Sequence, residues 1–240
     1  MDSSVPRSNR LRRAVAVLGV AGLGLAACGG DDSTTSADVV DSASDGAVET
    51  VTTEEAATEA SSDGSAQGIQ QNGPITVTGT PLVPYEASGE DDPAVGTASP
   101  VISGESFDGS QITIGEPTDG PTMVVFLAHW CPHCNDEIPE LISLYDEGSL
   151  PEELGVVGVS TAVDAGAPNY PPSEWIDDRG WPWPTMADDD VLTAISAMGG
   201  TSFPFVVVLD SDGTVLARRP GQATGADTLA FLDEALARRS

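Results

Sequence analysis

An apolar stretch at residues 122–128 (TMVVFLA) runs straight into His129-Trp130-Cys131-Pro132-His133-Cys134. That junction limits what the chain can fold into more than any other feature. An apolar run without alternation is how a strand reads when both of its faces are covered, as at the centre of an α/β sheet. Beyond Cys131 the period changes: Ile138, Leu141, Ile142 and Tyr145 fall at helical spacing over residues 132–147. Pro132 suits the first turn of a helix because it has no N–H to lose. A buried strand is therefore predicted to deliver a C-x-x-C pair to a helix start. Unpaired backbone N–H groups and the helix dipole stabilise a thiolate there, and the thiolate is the attacking species in disulfide exchange. On this reading Cys131 is the exposed, attacking thiol. Cys134, one turn further in and shielded, resolves the mixed disulfide. His133 lies between them. When charged it favours the thiolate, hence the reduced form, and makes the disulfide more oxidising.

The remaining cysteine, Cys28, has a different setting. Arg7, Arg10, Arg12 and Arg13 precede an apolar run at residues 14–27 that is too short to span a bilayer comfortably. The run ends in Leu25-Ala26-Ala27-Cys28, which resembles the lipobox of bacterial lipoproteins. The resemblance implies a signal peptide at residues 1–27 and a lipidated Cys28 at the mature N-terminus. The protein is then expected on the outer face of the cell membrane, held to the lipid bilayer through Cys28. One cysteine pair is left, and its loop is so short that it staples little. In an exported protein such a pair points to redox chemistry. The net charge is −29, there is no lysine, and residues 14–178 contain no basic side chain other than histidine. Nucleic acid is therefore not expected as a partner.

Residues 29–73 are rich in Ser, Thr, Ala, Asp and Glu and contain no aromatic residue. Such a stretch cannot bury enough apolar surface to offset chain entropy and is expected to be a disordered acidic stalk. Residues 74–98 stay open between a strand-bearing addition to the domain and more linker: Ile75 to Thr78 alternate, and Pro81, Pro84 and Pro93 follow. The working division is signal peptide 1–27, lipidated linker 28–98 and folded domain 99–240. Within the domain, strands are expected at 111–114, 122–128, 154–160, 205–209 and 214–218. Helices are expected at 132–147, 173–178, 190–198 and 226–238. Parallel crossovers come first and an antiparallel hairpin closes the sheet, an α/β class with a central mixed sheet flanked by helices.

At Trp130, Cys131, Cys134, Glu137 and Pro139 the chain resembles the thioredoxin superfamily, and more closely its extracytoplasmic TlpA/ResA-type branch with W-C-x-x-C-x-x-E-x-P. The resemblance implies a thioredoxin-like fold over residues 99–240 and a thiol-disulfide oxidoreductase activity with no cofactor and no metal. It assigns proton movement beside the thiols to Glu137; the plain alternative is a solvated first-turn carboxylate. It also implies a cis proline at Pro204 facing the cysteines. Trp130, Pro132 and Phe203 then line the place where a client segment docks. Clients would be exported protein thiols or disulfides, with a membrane thiol partner as a further candidate. Two features depart from the pattern. Val125 stands where cytoplasmic thioredoxins carry a buried aspartate, which puts more weight on Glu137. The Pro-His dipeptide resembles that of the oxidant DsbA, whereas many TlpA/ResA-type proteins are reductants. The balance leans slightly to an oxidant. Three rival readings fit parts of the sequence. A soft-metal module would bind copper or zinc through Cys131, Cys134, His129 and His133. A peroxiredoxin-type peroxidase usually has Thr or Ser where this chain has Ala128. A non-catalytic lipoprotein would leave the intact motif unexplained.

Overall fold

The computed structural model describes residues 69–86 and 91–239. The expected signal peptide, Cys28 and the stalk up to residue 68 lie outside the described residues. Five strands form the main sheet in the order β6-β5-β4-β7-β8: β4 (Thr122–Leu127), β5 (Gly155–Ser160), β6 (Thr185–Ala187), β7 (Phe205–Leu209) and β8 (Val215–Pro220). β4, β5 and β6 run parallel, while β7 is antiparallel to β4 and β8 to β7. A second, antiparallel sheet joins β1 (Thr76–Thr78), β2 (Val101–Glu105) and β3 (Gln111–Ile114). The helices are α1 (Pro132–Asp146), α2 (Pro172–Asp178), α3 (Thr193–Ala197) and α4 (Gly225–Leu236).

The unbroken apolar runs follow from two covered faces. Met123, Val125 and Leu127 of β4, with Val206 and Val208 of β7, pack against Ile138 and Leu141 of α1, Trp175 of α2 and Leu232 of α4. Their neighbours Val124, Phe126, Phe205 and Val207 point the other way, onto Ile102, Ile114 and the α3 residues Ala194 and Ile195. Side chains alternate across a strand, so a strand with helices on one face and a small sheet on the other must be apolar at every position. α1 turns Cys134, Glu137, Ile138, Leu141 and Leu144 inward. The inward face is thus rotated relative to the predicted one: Tyr145 is exposed, its ring edge-on to Trp183.

Residues 74–86 and 91–98 belong to the folded unit, which moves the domain boundary back from residue 99. β1 pairs with β2, Leu82 and Ala94 are buried, and Leu82 N donates to Ala197 O at 2.9 Å. The fastening is Arg218, which has no exposed side-chain surface. It donates to both oxygens of Asp92 (2.8 and 2.6 Å) and to the carbonyls of Val83 (2.8 Å) and Met198 (3.0 Å). Gly199 lets these backbones meet. It has φ +70°, and a Cβ there would collide with Val83 O and Arg218. Gly73 N also donates to Asp188 O, so contact extends into the stretch read as stalk. β2 and β6 were not anticipated. β2 is five residues interrupted by Ser103 and Gly104, and β6 has three residues, too few for a period to show. α3 starts at Thr193 rather than 190, because the Asp188 and Asp189 carboxylates accept N–H groups at its start (Ala194 at 2.8 Å, Thr193 at 2.8 Å).

Candidate active site

β4 ends at Leu127, and Cys131 becomes the N-cap of α1 in extended backbone, with Pro132 in the first helical turn. No side chain caps this helix start, so its N–H groups are left for the sulfur side of the loop. Cys131 and Cys134 are both free thiols. Cys134 has no solvent exposure, and its sulfur accepts the Ala128 N–H at 3.4 Å. Burial pushes the Cys134 thiol well up. The Ala128 N–H opposes this, while Cys131 and the Glu137 carboxylate add to it. Cys131 is itself only 6% exposed, which corrects the expectation of an open first cysteine. Its Sγ lies 3.6 Å from the Phe203 carbonyl, and the Trp130 and Phe203 rings meet edge to face at 5.8 Å against the same core cluster.

The other expected residues gather at the same end of the sheet. The Phe203–Pro204 peptide is cis, and Pro204 is buried. Trp130 Nε1 donates to Ala162 O at 2.7 Å. Pro132 and His133 are exposed; His133 Nδ1 lies 3.1 Å from Gln222 Oε1 and donates to it. Glu137 is not a solvated carboxylate. It is fully buried, with Oε1 accepting from Arg219 Nη2 at 2.8 Å and Oε2 from Ala223 N at 2.6 Å. Val125, in place of a buried aspartate, lies in the core cluster that contains both cysteines.

Three residues at this site were not read from the sequence. Asn135 donates to the carbonyls of Cys131 (2.8 Å) and His129 (3.1 Å) and accepts from Trp175 Nε1 (3.0 Å) and Arg179 (2.6 Å), fixing the loop that carries Cys131. Arg219 and Gln222 reach the helix from beyond β7. Their partners are far away in sequence, so no local pattern marks them. His129 was assigned to the metal reading. Its ring is fully buried: Nδ1 donates to Pro168 O (2.8 Å) and Nε2 accepts from Asp164 N (3.1 Å). With both nitrogens occupied, His129 is spoken for as a structural ring rather than as a ligand.

The buried Cys134 thiol makes the stability of the reduced protein fall with alkali. Unfolded, a cysteine loses its proton near pH ~8.5; folded, Cys134 keeps it, so above that pH the unfolded state binds fewer protons. The stabilisation is complete below pH ~8.5 and is lost as pH rises. Thermal melts under reductant between pH 7 and 10 should show this decline, and it should flatten in Cys134→Ala. An equally steep decline in the variant would remove Cys134 as its source.

Residues 95–218, just over half of the chain, match the AhpC/TSA family. A curated relative, the thiol-disulfide oxidoreductase ResA of Halalkalibacterium halodurans, is 27% identical over 120 residues, covering 50% of this chain and 65% of the relative. Among solved structures, a DsbF homologue from Corynebacterium diphtheriae is similar with a TM-score of 0.51 and 20% identity, over 65% of this chain and 99% of that one. A thioredoxin family thiol:disulfide interchange protein from Chlorobium tepidum is 26% identical with a TM-score of 0.46, over 60% of this chain and 98% of that one. The likeness to the Corynebacterium structure shows that the fold is thioredoxin-like, as the sequence led us to expect.

Proposed function

The chain belongs to the AhpC/TSA family, and we propose that within it this protein is a thiol-disulfide oxidoreductase that exchanges disulfides with exported proteins through Cys131 and Cys134. The observation that carries the reading is the asymmetry of the pair. Cys131 stands at an uncapped helix start beside the Phe203 carbonyl and Pro204, and Cys134 is sealed one turn below. The resemblance to ResA, named as such an oxidoreductase, points the same way. As an oxidant, the protein starts with a Cys131–Cys134 disulfide. A client thiolate attacks Cys131 Sγ, the S–S bond breaks, and Cys134 leaves and takes up a proton, which its buried setting favours. A second client thiolate then attacks the client sulfur of the mixed disulfide. The client leaves oxidised by two electrons, and Cys131 leaves as a thiolate at the helix start. As a reductant the same steps run backwards. We favour the oxidising direction, because a helix start and a charged His133 would both stabilise the reduced form. Phe203, ahead of the cis Pro204, is the backbone edge along which an extended client would lie, flanked by Trp130 and Pro132.

We further propose that the protein works on the outer face of the cell membrane, held there by lipid on Cys28. The basic and apolar run ending in Leu-Ala-Ala-Cys supports this. Cys28→Ala should release the protein from the membrane fraction; unchanged retention would refute the anchor. Exchange is tested with Cys134→Ser, which should accumulate mixed disulfides with client proteins through Cys131, while Cys131→Ser accumulates few. Equal trapping by both variants, or by neither, would refute the assignment. Peroxide consumption by the reduced protein, without clients, would instead support a peroxidase. Direction is read from the reduction potential of the pair: a value near about −120 mV marks an oxidant and one near about −270 mV a reductant.

A further inference from the structure

The chain leaving β8 touches the thiol helix repeatedly. Arg219 Nη2 and Ala223 N donate to the two oxygens of Glu137, at 2.8 and 2.6 Å. Gln222 accepts from His133 at 3.1 Å, and Gly225 N donates to Glu140 Oε2 at 2.6 Å. Gly221 N, in the same stretch, donates to Pro204 O at 2.8 Å. One strand end thus ties the start of α1 to the cis-proline loop. Arg219 is the cation in this arrangement. Its Nη1 donates to Gly221 O at 3.2 Å, and its guanidinium lies 5.4 Å from the centre of the Phe231 ring. Its neighbour Arg218 points to the opposite face of the strand, to Asp92, so the two arginines do separate work.

We propose that Arg219 is a positioning residue for the thiol pair: by pairing with the Glu137 carboxylate one helical turn from Cys134, it adds to the bias that burial sets toward Cys131 as the attacking sulfur. This rests on the exchange reading above. The reasoning is electrostatic. Glu137 has no access to water, and burying a carboxylate with a single backbone donor is costly. The Arg219 guanidinium offsets that cost. The anion so held lies at i+3 from Cys134, on the same inward face, and opposes a second negative charge there. Cys134 stays a thiol while Cys131, at the helix start, reacts. On the same helix, Glu140 is satisfied by Gly225 N and His133 is turned to Gln222. Among the described residues, Arg219 is the one cation paired with Glu137.

The test is alkylation of the reduced full chain by iodoacetamide across pH, with each cysteine quantified by mass spectrometry. In Arg219→Gln, the ratio of Cys134 to Cys131 modification at neutral pH should rise about tenfold, the effect of one unit in a thiol's titration. Glu137→Gln should raise it similarly, and adding Arg219→Gln to Glu137→Gln should change it little further. Arg219→Lys, which keeps the cation, should stay near the wild type. The idea is overturned if Arg219→Gln leaves the ratio unchanged. It is equally overturned if the change persists in the Glu137→Gln background, as general loosening of the helix would produce, or if Arg219→Lys behaves like Arg219→Gln. Should Arg219→Gln not fold, Glu137→Gln decides: a ratio left unchanged when the partner of Arg219 loses its charge overturns the idea. The readout uses no client, so failure to trap clients counts against the exchange reading, whereas an unaltered ratio counts against Arg219.

Discussion

Asp92→Ala is expected to destabilise the protein by about 3–5 kcal/mol, the cost of leaving a buried charge without its partner. Arg218 has no exposed side-chain surface, whereas Asp92 keeps 13% of its own. Removing the aspartate therefore strands a cation in the core. Removing the arginine strands a carboxylate that still reaches water, so Arg218→Met should cost less, although it also leaves the Val83 and Met198 carbonyls without their donor. Chemical denaturation of the two variants checks both the size and the order. Equal small losses would mean that Val83 and Asp92 are not fastened here. The pair also carries a pH signature. Burial works against the Asp92 carboxylate, but the Arg218 and Ala94 hydrogen bonds outweigh it and hold its titration below the usual carboxylate range. Its contribution is therefore complete above pH ~4 and fades as pH falls below that, with Asp92→Ala lacking this acid-side loss.

Cys131→Ser should abolish disulfide exchange, bringing it to the rate of a control without protein. Cys134→Ser should leave the first attack within about threefold of the wild type, because the reacting sulfur and its helix start are untouched. What Cys134→Ser loses is release: the mixed disulfide persists until an outside thiol resolves it. Single-turnover kinetics with a peptide disulfide separate the two steps. Loss of the first step in both variants would mean that the cysteines act as one unit rather than in sequence.

The sequence carried the centre of this molecule, because the signals there are local. The apolar run of β4, the C-x-x-C, Pro132 and the helical spacing of Ile138 and Leu141 all lie within one short stretch. What surrounds the centre was less legible for a physical reason. The fastening of Val83 and Asp92 depends on Arg218, 126 residues beyond Asp92, and no pattern near the prolines could show it. The burial of Glu137 depends on Arg219, 82 residues away. Cys131 is covered in part by Phe203, 72 residues away in sequence and just ahead of the neighbouring strand β7. His129 has the residue type of a spare ligand beside two cysteines, but Pro168 O and Asp164 N occupy both nitrogens of its ring. Residue type marked the chemistry, whereas long-range partners decided which of those residues were available for it.

The measurement closest to the central claim is time-resolved mass spectrometry of the reduced full chain mixed with oxidised glutathione. Cys131 should first appear as a glutathione mixed disulfide, followed by its replacement with a Cys131–Cys134 disulfide and release of the second glutathione as thiol. Glutathione arriving first on Cys134, or on neither cysteine while the protein remains folded, would contradict the account.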